Sequence, residues 1–247
     1  MTADPHTLGR VIEQTRWLLL DFDGPICSIF AGLPAASVAE QLRKLIADEG
    51  AQPSMSGIDG NDPIQVLRST ASLQPALSAQ VESALRAAEI AATRTARPTP
   101  HAREAILACH ATGRALAVVS NNSQAAVEAY LRIHQLDRHV DLVVGRTQPD
   151  PTLLKPSPHL VVHAMQALGA DRGASAFVGD TPSDVESAHA AGMHCIGYAN
   201  KPGKLDRLTL AGADAVITTM ADLATTLLTR DSKAPAPPGA SRGMRPC

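Results

Sequence analysis

Aromatic residues are scarce in this chain, which has one Trp, two Tyr and three Phe among its 247 residues. Apolar residues make up 45% of the sequence, as in an ordinary globular protein. The core must therefore be built mainly from Ala, Leu, Val and Ile. A chain of this length can bury a substantial core and can hold one large domain or a core with an inserted module.

The chain also lacks an excess of either charge, a long apolar run and closely spaced cysteines. Its net charge of −2 gives no basic footprint for nucleic acid. No run of about 18 apolar residues predicts a membrane span, and residues 1–16 do not resemble a leader segment. The cysteines are too far apart for a metal knuckle or a redox pair. They are Cys27, Cys109, Cys195 and Cys247. We therefore expect a soluble, cytoplasmic protein with free thiols that binds neither nucleic acid nor a membrane.

Two kinds of sequence pattern follow each other along the chain. Residues 35–96 are helical in pattern, and Asp62-Pro63 predicts a helix start within them. From residue 98 to 230, helical segments alternate with short apolar segments, which is the pattern of parallel βαβ units. The sequence thus predicts an α/β fold, a three-layer Rossmann-like parallel sheet core with an inserted all-helical segment. Residues 231–247 are rich in Pro, Gly and Ala, and we expect them to be disordered.

Two carboxylates stand at the end of the first predicted strand. The apolar segment Trp17–Leu20 is followed by Asp21 and Asp23, and then by Gly24 and Pro25, which break strands. Ligands bind at the carboxyl end of such strands in open parallel sheets. Two anionic groups held this close repel each other unless a cation or a shared proton lies between them. The pair therefore indicates a functional site at this strand end.

Two later strands also end in polar residues. Ser120 and Asn121 follow the strand that begins at Ala115, and Asp180 and Asp184 follow the strand that begins at Ser175. Because parallel strands share a direction, these clusters should meet Asp21 and Asp23 at one edge of the sheet. A group of carboxylates with room for water and phosphate suits Mg²⁺. Lys155, in a loop between two strands, could balance their charge.

These residues resemble the four ordered motifs of the haloacid dehalogenase superfamily of phosphatases. The motifs in this sequence are Asp21-Phe22-Asp23-Gly24, Val119-Ser120-Asn121, Lys155-Pro156 and Gly179-Asp180-Thr181-Pro182-Ser183-Asp184. The similarity covers about residues 12–230. It implies the fold of that superfamily, with a core from residues 1–26 and 98–230. Residues 27–97 would be a helical cap, as in phosphoglycolate phosphatase-like members.

The resemblance also implies a role for each motif residue. Asp21 would be the nucleophile that forms an aspartyl-phosphate, and Asp23 the general acid and then the general base. Ser120, Asn121 and Lys155 would bind the phosphate, and Lys155 would also neutralise Asp21. The Mg²⁺ ligands would be Asp21, Asp180 and the main-chain carbonyl of Asp23, with Asp184 acting on the metal directly or through a water molecule.

The function that follows is Mg²⁺-dependent hydrolysis of a small phosphate monoester. The second aspartate, Asp23, argues against a dehalogenase, because a carbon–halogen bond needs no acid for its leaving group. Two alternatives stay open at this point. A phosphosugar mutase of the same superfamily would keep every motif, and a non-catalytic relative would keep the fold and act as a binding protein.

Overall fold

The structure is a computed structural model that describes residues 5–51 and 60–230. The predicted disorder of residues 231–247 lies outside the described residues. Within the described part, none of the helices combines the length and the apolar character needed to cross a membrane. Cys27, Cys109 and Cys195 are buried free thiols.

Six parallel strands form the central sheet, in the order β5-β4-β1-β6-β7-β8. They are β1 (Trp17–Leu20), β4 (Ala115–Ser123), β5 (Leu142–Arg146), β6 (Ser175–Gly179), β7 (His194–Tyr198) and β8 (Ala215–Ile217). Strand β1 lies between β4 and β6, with Leu20 opposite Val118 on one side and Val178 on the other. The carboxyl ends of β1, β4 and β6 are therefore neighbours, which confirms the predicted parallel α/β core.

Helices pack on both faces of this sheet. Those of the core are α1 (Pro5–Gln14), α5 (Ala102–Ala111), α6 (Gln124–Ile133), α7 (His159–Leu168), α8 (Pro182–Ala190), α9 (Lys204–Leu210) and α10 (Met220–Thr229). Alternate residues of a strand point to opposite faces. Accordingly, Leu18 and Leu20 of β1 belong to one hydrophobic cluster, whereas Trp17 and Leu19 belong to the other. The result is three layers, helix on sheet on helix.

A helical insertion separates β1 from β4. It consists of α2 (Ala35–Asp48), α3 (Pro63–Ser69) and α4 (Pro75–Ala92). Two short antiparallel strands flank it, β2 (Cys27–Ser28) and β3 (Arg97–Pro98), so the chain enters and leaves the insertion at one place. Helix α3 begins as predicted, because the side chain of Asp62 accepts the N–H of Ile64 at 2.9 Å and Pro63 takes the first helical position.

Two elements differ from the prediction. Ser120 and Asn121 were expected to follow the strand that begins at Ala115, but the backbone continues to Ser123 beside β5 as the end of β4, with a shift in register between Val119 and Ser123. Helix α9 was not predicted. It has seven residues and buries only Leu208 among them, so it carries too short an apolar pattern to be detected.

Candidate active site

All the predicted site residues line one cavity of about 790 Å³ at the carboxyl edge of the sheet. They are Asp21, Asp23, Ser120, Asn121, Lys155, Asp180 and Asp184. The opposite wall comes from the helical insertion, through residues 61–65 and Arg68 around the start of α3. The fold therefore brings together residues that are up to 163 positions apart, from 21 to 184, and places the insertion across from them.

Asp21 is fixed at the end of β1 by its own backbone. Its N–H donates to the carbonyl of Val178 in β6 at 2.8 Å, which extends the parallel ladder by one step. Its Oδ1 accepts the N–H of Phe22 at 2.7 Å. The residue is 7% exposed, at the floor of the cavity. The bond to β6 thus fixes the main chain of Asp21, and the N–H of Phe22 orients its carboxylate.

Lys155 bridges two of the acids. Its Nζ lies 2.9 Å from Oδ1 of Asp21 and 2.7 Å from Oδ1 of Asp184. The side chain is almost fully buried, and its Nζ stands 5.1 Å from the centre of the Phe177 ring. Burial alone would lower the pKa of Lys155, but Asp184 and Asp21 hold that pKa above its usual range. The ammonium group is therefore positively charged at any physiological pH.

Asp184 has a structural task at the start of α8 as well as its contact with Lys155. Its Oδ2 accepts the N–H of Asp180 at 3.0 Å and the N–H of Thr181 at 2.9 Å, and Thr181 Oγ1 lies 2.8 Å away. A Cβ on Gly179 would stand 2.3 Å from Cβ of Asp184, so only glycine permits this approach. The Gly-Asp-Thr-Pro-Ser-Asp sequence thus forms a capping box that holds both acids in place.

Three carboxylates form a group that could hold a metal ion. Oxygens of Asp21, Asp180 and Asp184 all lie within 4.8 Å of one another. Burial raises the pKa of Asp21 well above its usual range, with a further rise from the negative charges of Asp184 and Asp180 and with Lys155 opposing it. Burial likewise raises the pKa of Asp180, against the effect of Lys204. The cluster is therefore short of positive charge, and its hard oxygen donors fit Mg²⁺. The carboxylate of Asp23 is not in this group.

Asp23 is oriented by the backbone that follows it. Its Oδ1 accepts the N–H of Ile29 at 2.9 Å. The restricted hydration of the cleft raises the pKa of Asp23 to about 6, an effect that the Ile29 N–H opposes and the charge of Asp180 reinforces. The side chain nevertheless reaches solvent in the cavity. A carboxyl group with this pKa can hold or release a proton near neutral pH.

Gly24 allows the sharp departure of the chain from β1. Its φ is +112°, and a Cβ there would lie 2.4 Å from Cγ of Asp180. A side chain at this position would therefore be strained and would displace Asp180. The path of the chain after β1 and the position of Asp180 in the carboxylate group therefore depend on the same glycine.

The irregular end of β4 carries Ser120 and Asn121. Ser120 is 1% exposed, and its Oγ donates to Oδ1 of Asn122 at 3.1 Å. The side chain of Asn121 is bonded to the main chain of Lys155, whose N–H it accepts at 2.9 Å and whose carbonyl it approaches at 3.4 Å. Asn121 therefore fixes the loop that presents Lys155, in addition to the predicted use of its own N–H.

Three further cationic residues at this site are not among the predicted site residues. Lys204 on α9 forms an ion pair with Asp180. Arg207, also on α9, lines the cavity, and Arg68 on α3 lines it and donates to the carbonyl of Lys155. Arg68 follows a turn-rich segment, which is a weak signal. Lys204 and Arg207 lie on α9, a helix that was not predicted, so there was no reason from sequence to place them at the site.

The family model for haloacid dehalogenase-like hydrolases matches residues 18–198. The match spans most of the chain, which therefore belongs to that family. The predicted membership of the superfamily is confirmed.

Similar proteins agree with this result. The chain is 28% identical over 232 residues to a plasmid-encoded phosphoglycolate phosphatase of Cupriavidus necator, and 22% identical over 224 residues to the phosphoglycolate phosphatase of Photorhabdus laumondii. Each alignment covers 89% of this chain and 95% of the relative. Among solved structures, a predicted phosphatase from Clostridium acetobutylicum has a TM-score of 0.65 at 16% identity and covers 87% of this chain and 99% of that one. Such structural likeness shows the shared fold.

Proposed function

We propose that this protein is a Mg²⁺-dependent phosphatase that hydrolyses a small phosphate monoester through an aspartyl-phosphate, an acyl phosphate formed on Asp21. The observation that supports it best is the arrangement of Asp21, Asp23 and Lys155 in one cavity. A buried carboxylate lies 2.9 Å from a charged ammonium group, and a second carboxyl with a pKa of about 6 follows two residues later. The phosphoglycolate phosphatases among the relatives favour the same class, phosphoric monoester hydrolase.

In the first step, a carboxylate oxygen of Asp21 attacks the phosphorus atom and the bond from phosphorus to the ester oxygen breaks. Asp23 gives its proton to that oxygen, so the product leaves as a neutral alcohol. In the second step, Asp23 takes a proton from water. That water attacks the phosphorus, which releases inorganic phosphate and restores the Asp21 carboxylate.

The other residues stabilise charge and hold the phosphate. Lys155 neutralises part of the charge on the phosphoryl oxygens, and Ser120 Oγ and the N–H of Asn121 donate to them. Mg²⁺, when bound to Asp21, Asp180, Asp184 and the main-chain carbonyl of Asp23, supplies further electrostatic stabilisation of the transferring group.

We further propose that residues 27–97 are a cap and that residues 1–26 and 98–230 are the catalytic core. The wall formed by residues 61–65 and Arg68 supports this division, because it stands across the cavity from the carboxylates. A cavity of about 790 Å³ suits a small metabolite. The named activity of the relatives makes phosphoglycolate a compound to test.

The experiment is phosphate release from p-nitrophenyl phosphate and from a panel of glycolate, sugar and nucleotide monophosphates, with and without Mg²⁺. Asp21→Asn should abolish release and keep the fold. Asp48→Asn is the control, since Asp48 is an exposed surface aspartate paired only with Lys44 among the described contacts. Retained turnover in Asp21→Asn would overturn the covalent mechanism. Conversion of a sugar phosphate into its isomer without phosphate release would show a mutase.

A further inference from the structure

A buried ion-pair network lies outside the site, between the helical insertion and the core. Arg146 at the end of β5 has its Nη2 2.8 Å from Oε2 of Glu89 and its Nε 3.3 Å from Oε1 of Glu82. Both glutamates are on α4, and all three side chains are at most 4% exposed. Burying charged groups costs several kcal/mol per ion before pairing. The proposed catalytic steps use none of these residues.

The network reaches the phosphate-binding end of β4. Glu89 accepts the N–H of Ser123 at 2.8 Å and the Nδ2 of Asn122 at 3.0 Å. Arg146 Nη1 donates to the carbonyl of Asn121 at 2.6 Å. These main-chain and side-chain groups belong to the segment where β4 loses its regular register against β5. Side chains of the network there take the place of the hydrogen-bond partners that a neighbouring strand would supply.

Two chains of hydrogen bonds continue from the network to the cavity. The first chain runs from Glu89 through Asn122 to Ser120. Ser120 Oγ donates a hydrogen bond to Oδ1 of Asn122 at 3.1 Å and accepts one from the N–H of Asn122 at 3.2 Å. The second chain runs from Arg146 through Asn121 to Lys155. Arg146 donates to the main-chain carbonyl of Asn121, and the side-chain Oδ1 of Asn121 accepts the N–H of Lys155. Both chains end at predicted phosphate-binding residues.

We propose that Glu89 and Arg146 are positioning residues for phosphate binding. They hold Ser120–Ser123 in its irregular path, and through it they set the direction of the Ser120 hydroxyl and the place of the Lys155 loop. This inference rests on the proposed function for the identity of the ligand. Because one member of the pair lies on the insertion and the other on the core, the phosphate site is correctly shaped only while α4 is docked on the sheet.

The chain offers a matched control for testing Glu89. Glu82 lies on the same helix, is equally buried and pairs with the same arginine, but its bonds go to Arg146 and Arg86 and not to Ser120–Ser123. Glu89→Gln and Glu82→Gln each remove one buried carboxylate beside Arg146. Both should lower thermal stability. Only Glu89→Gln removes the charged acceptor of Ser123 and Asn122.

The experiment measures binding of inorganic phosphate by calorimetry in the presence of Mg²⁺, together with kcat and KM for p-nitrophenyl phosphate. Glu89→Gln should weaken phosphate binding about tenfold or more and raise KM, whereas Glu82→Gln should leave both within about twofold of wild type. Arg146→Lys, which keeps the charge and loses the forked geometry, should resemble Glu89→Gln. Glu89→Asp should recover part of the affinity.

Equal phosphate affinity in Glu89→Gln and Glu82→Gln would overturn the inference and show a purely structural network. If Glu89→Gln does not fold, Arg146→Lys is compared with Glu82→Gln and decides by the same criterion. The proposed function has a different test from the positioning role: it fails if the wild type binds phosphate but hydrolyses no ester. The calorimetric comparison of the variants would still decide the positioning role in that case.

Discussion

The pKa of Asp23 gives a quantitative prediction about catalysis. An aspartate with its ordinary pKa of 3.8 would be protonated in roughly one molecule in 1,600 at pH 7, whereas a pKa of about 6 makes that roughly one in ten. The cleft thus increases the supply of the acid form by about 150-fold. Only the protonated form can donate to a poor leaving group.

The rate of ester cleavage should therefore depend on pH in a way that depends on the substrate. For an alkyl phosphate, kcat/KM should fall about tenfold per pH unit above the pKa of Asp23, because the acid form is lost as pH rises. For p-nitrophenyl phosphate the profile should be flatter, since its leaving group departs without a proton. Asp23→Asn should cost about 10²- to 10⁴-fold with the alkyl ester and clearly less with the aryl ester.

The assay is kcat/KM for both substrates between pH 5 and 9 at saturating Mg²⁺, in wild type, Asp23→Asn and the surface control Asp48→Asn. These kinetic constants report the steps up to departure of the alcohol, which is where the acid acts. Equal losses with both substrates in Asp23→Asn, or a flat alkyl profile above pH 6, would refute the assignment of Asp23 as the acid.

Two further predictions follow from contacts around the site and one from a contact at the amino end of β8. Gly24→Ala should lose about 1–3 kcal/mol of stability from its φ of +112°. It should also weaken Mg²⁺ binding by displacing Asp180, and an unchanged melting temperature and metal affinity would contradict this. Lys204→Met should tighten Mg²⁺ binding about two- to fivefold in calorimetry, because Lys204 competes for Asp180, and weaker binding would contradict the competition. Partial burial raises the pKa of Asp214, but the N–H of Cys195 and two histidines lower it below 3.8 overall. The Asp214 carboxylate therefore stabilises the fold above that pH and loses its effect as pH falls through the folded pKa. Asp214→Asn should cost about 1 kcal/mol in denaturant melts at pH 7, and this cost should become smaller as pH falls below 3.8.

Most of the core could be predicted from sequence because its elements carry strong local signals. The predicted alternation of helical and short apolar segments is seen from β4 to α10, and β1 ends at the residue before Asp21, as its apolar segment indicates. Parallel strands then bring their polar ends to one edge by topology alone. That single rule was enough to collect Asp21, Ser120 and Asp180, although no local pattern connects them.

The residues of the buried ion-pair network were not predicted, because only their tertiary contacts reveal their role. Glu82 and Glu89 lie on a helix rich in Ala, where charged residues normally face solvent, yet both are buried against Arg146. Arg146 stands at a strand end, as several of the predicted site residues do, but it belongs to none of the four motifs. A lone charge on a helix or strand cannot be assigned a partner from its own sequence neighbourhood.

The charges that decide the chemistry of this site therefore come from two sources. The motif residues supply the three clustered carboxylates of Asp21, Asp180 and Asp184 but one ammonium group, Lys155, which leaves the cluster short of positive charge. The fold then adds Lys204 from an unpredicted helix, and it orients the end of β4 through Glu89 and Arg146. Short motifs can specify the groups that line the site, because several of these groups sit on the neighbouring ends of β1, β4 and β6. How strongly the cluster attracts a cation depends on residues whose positions follow only from the packed structure.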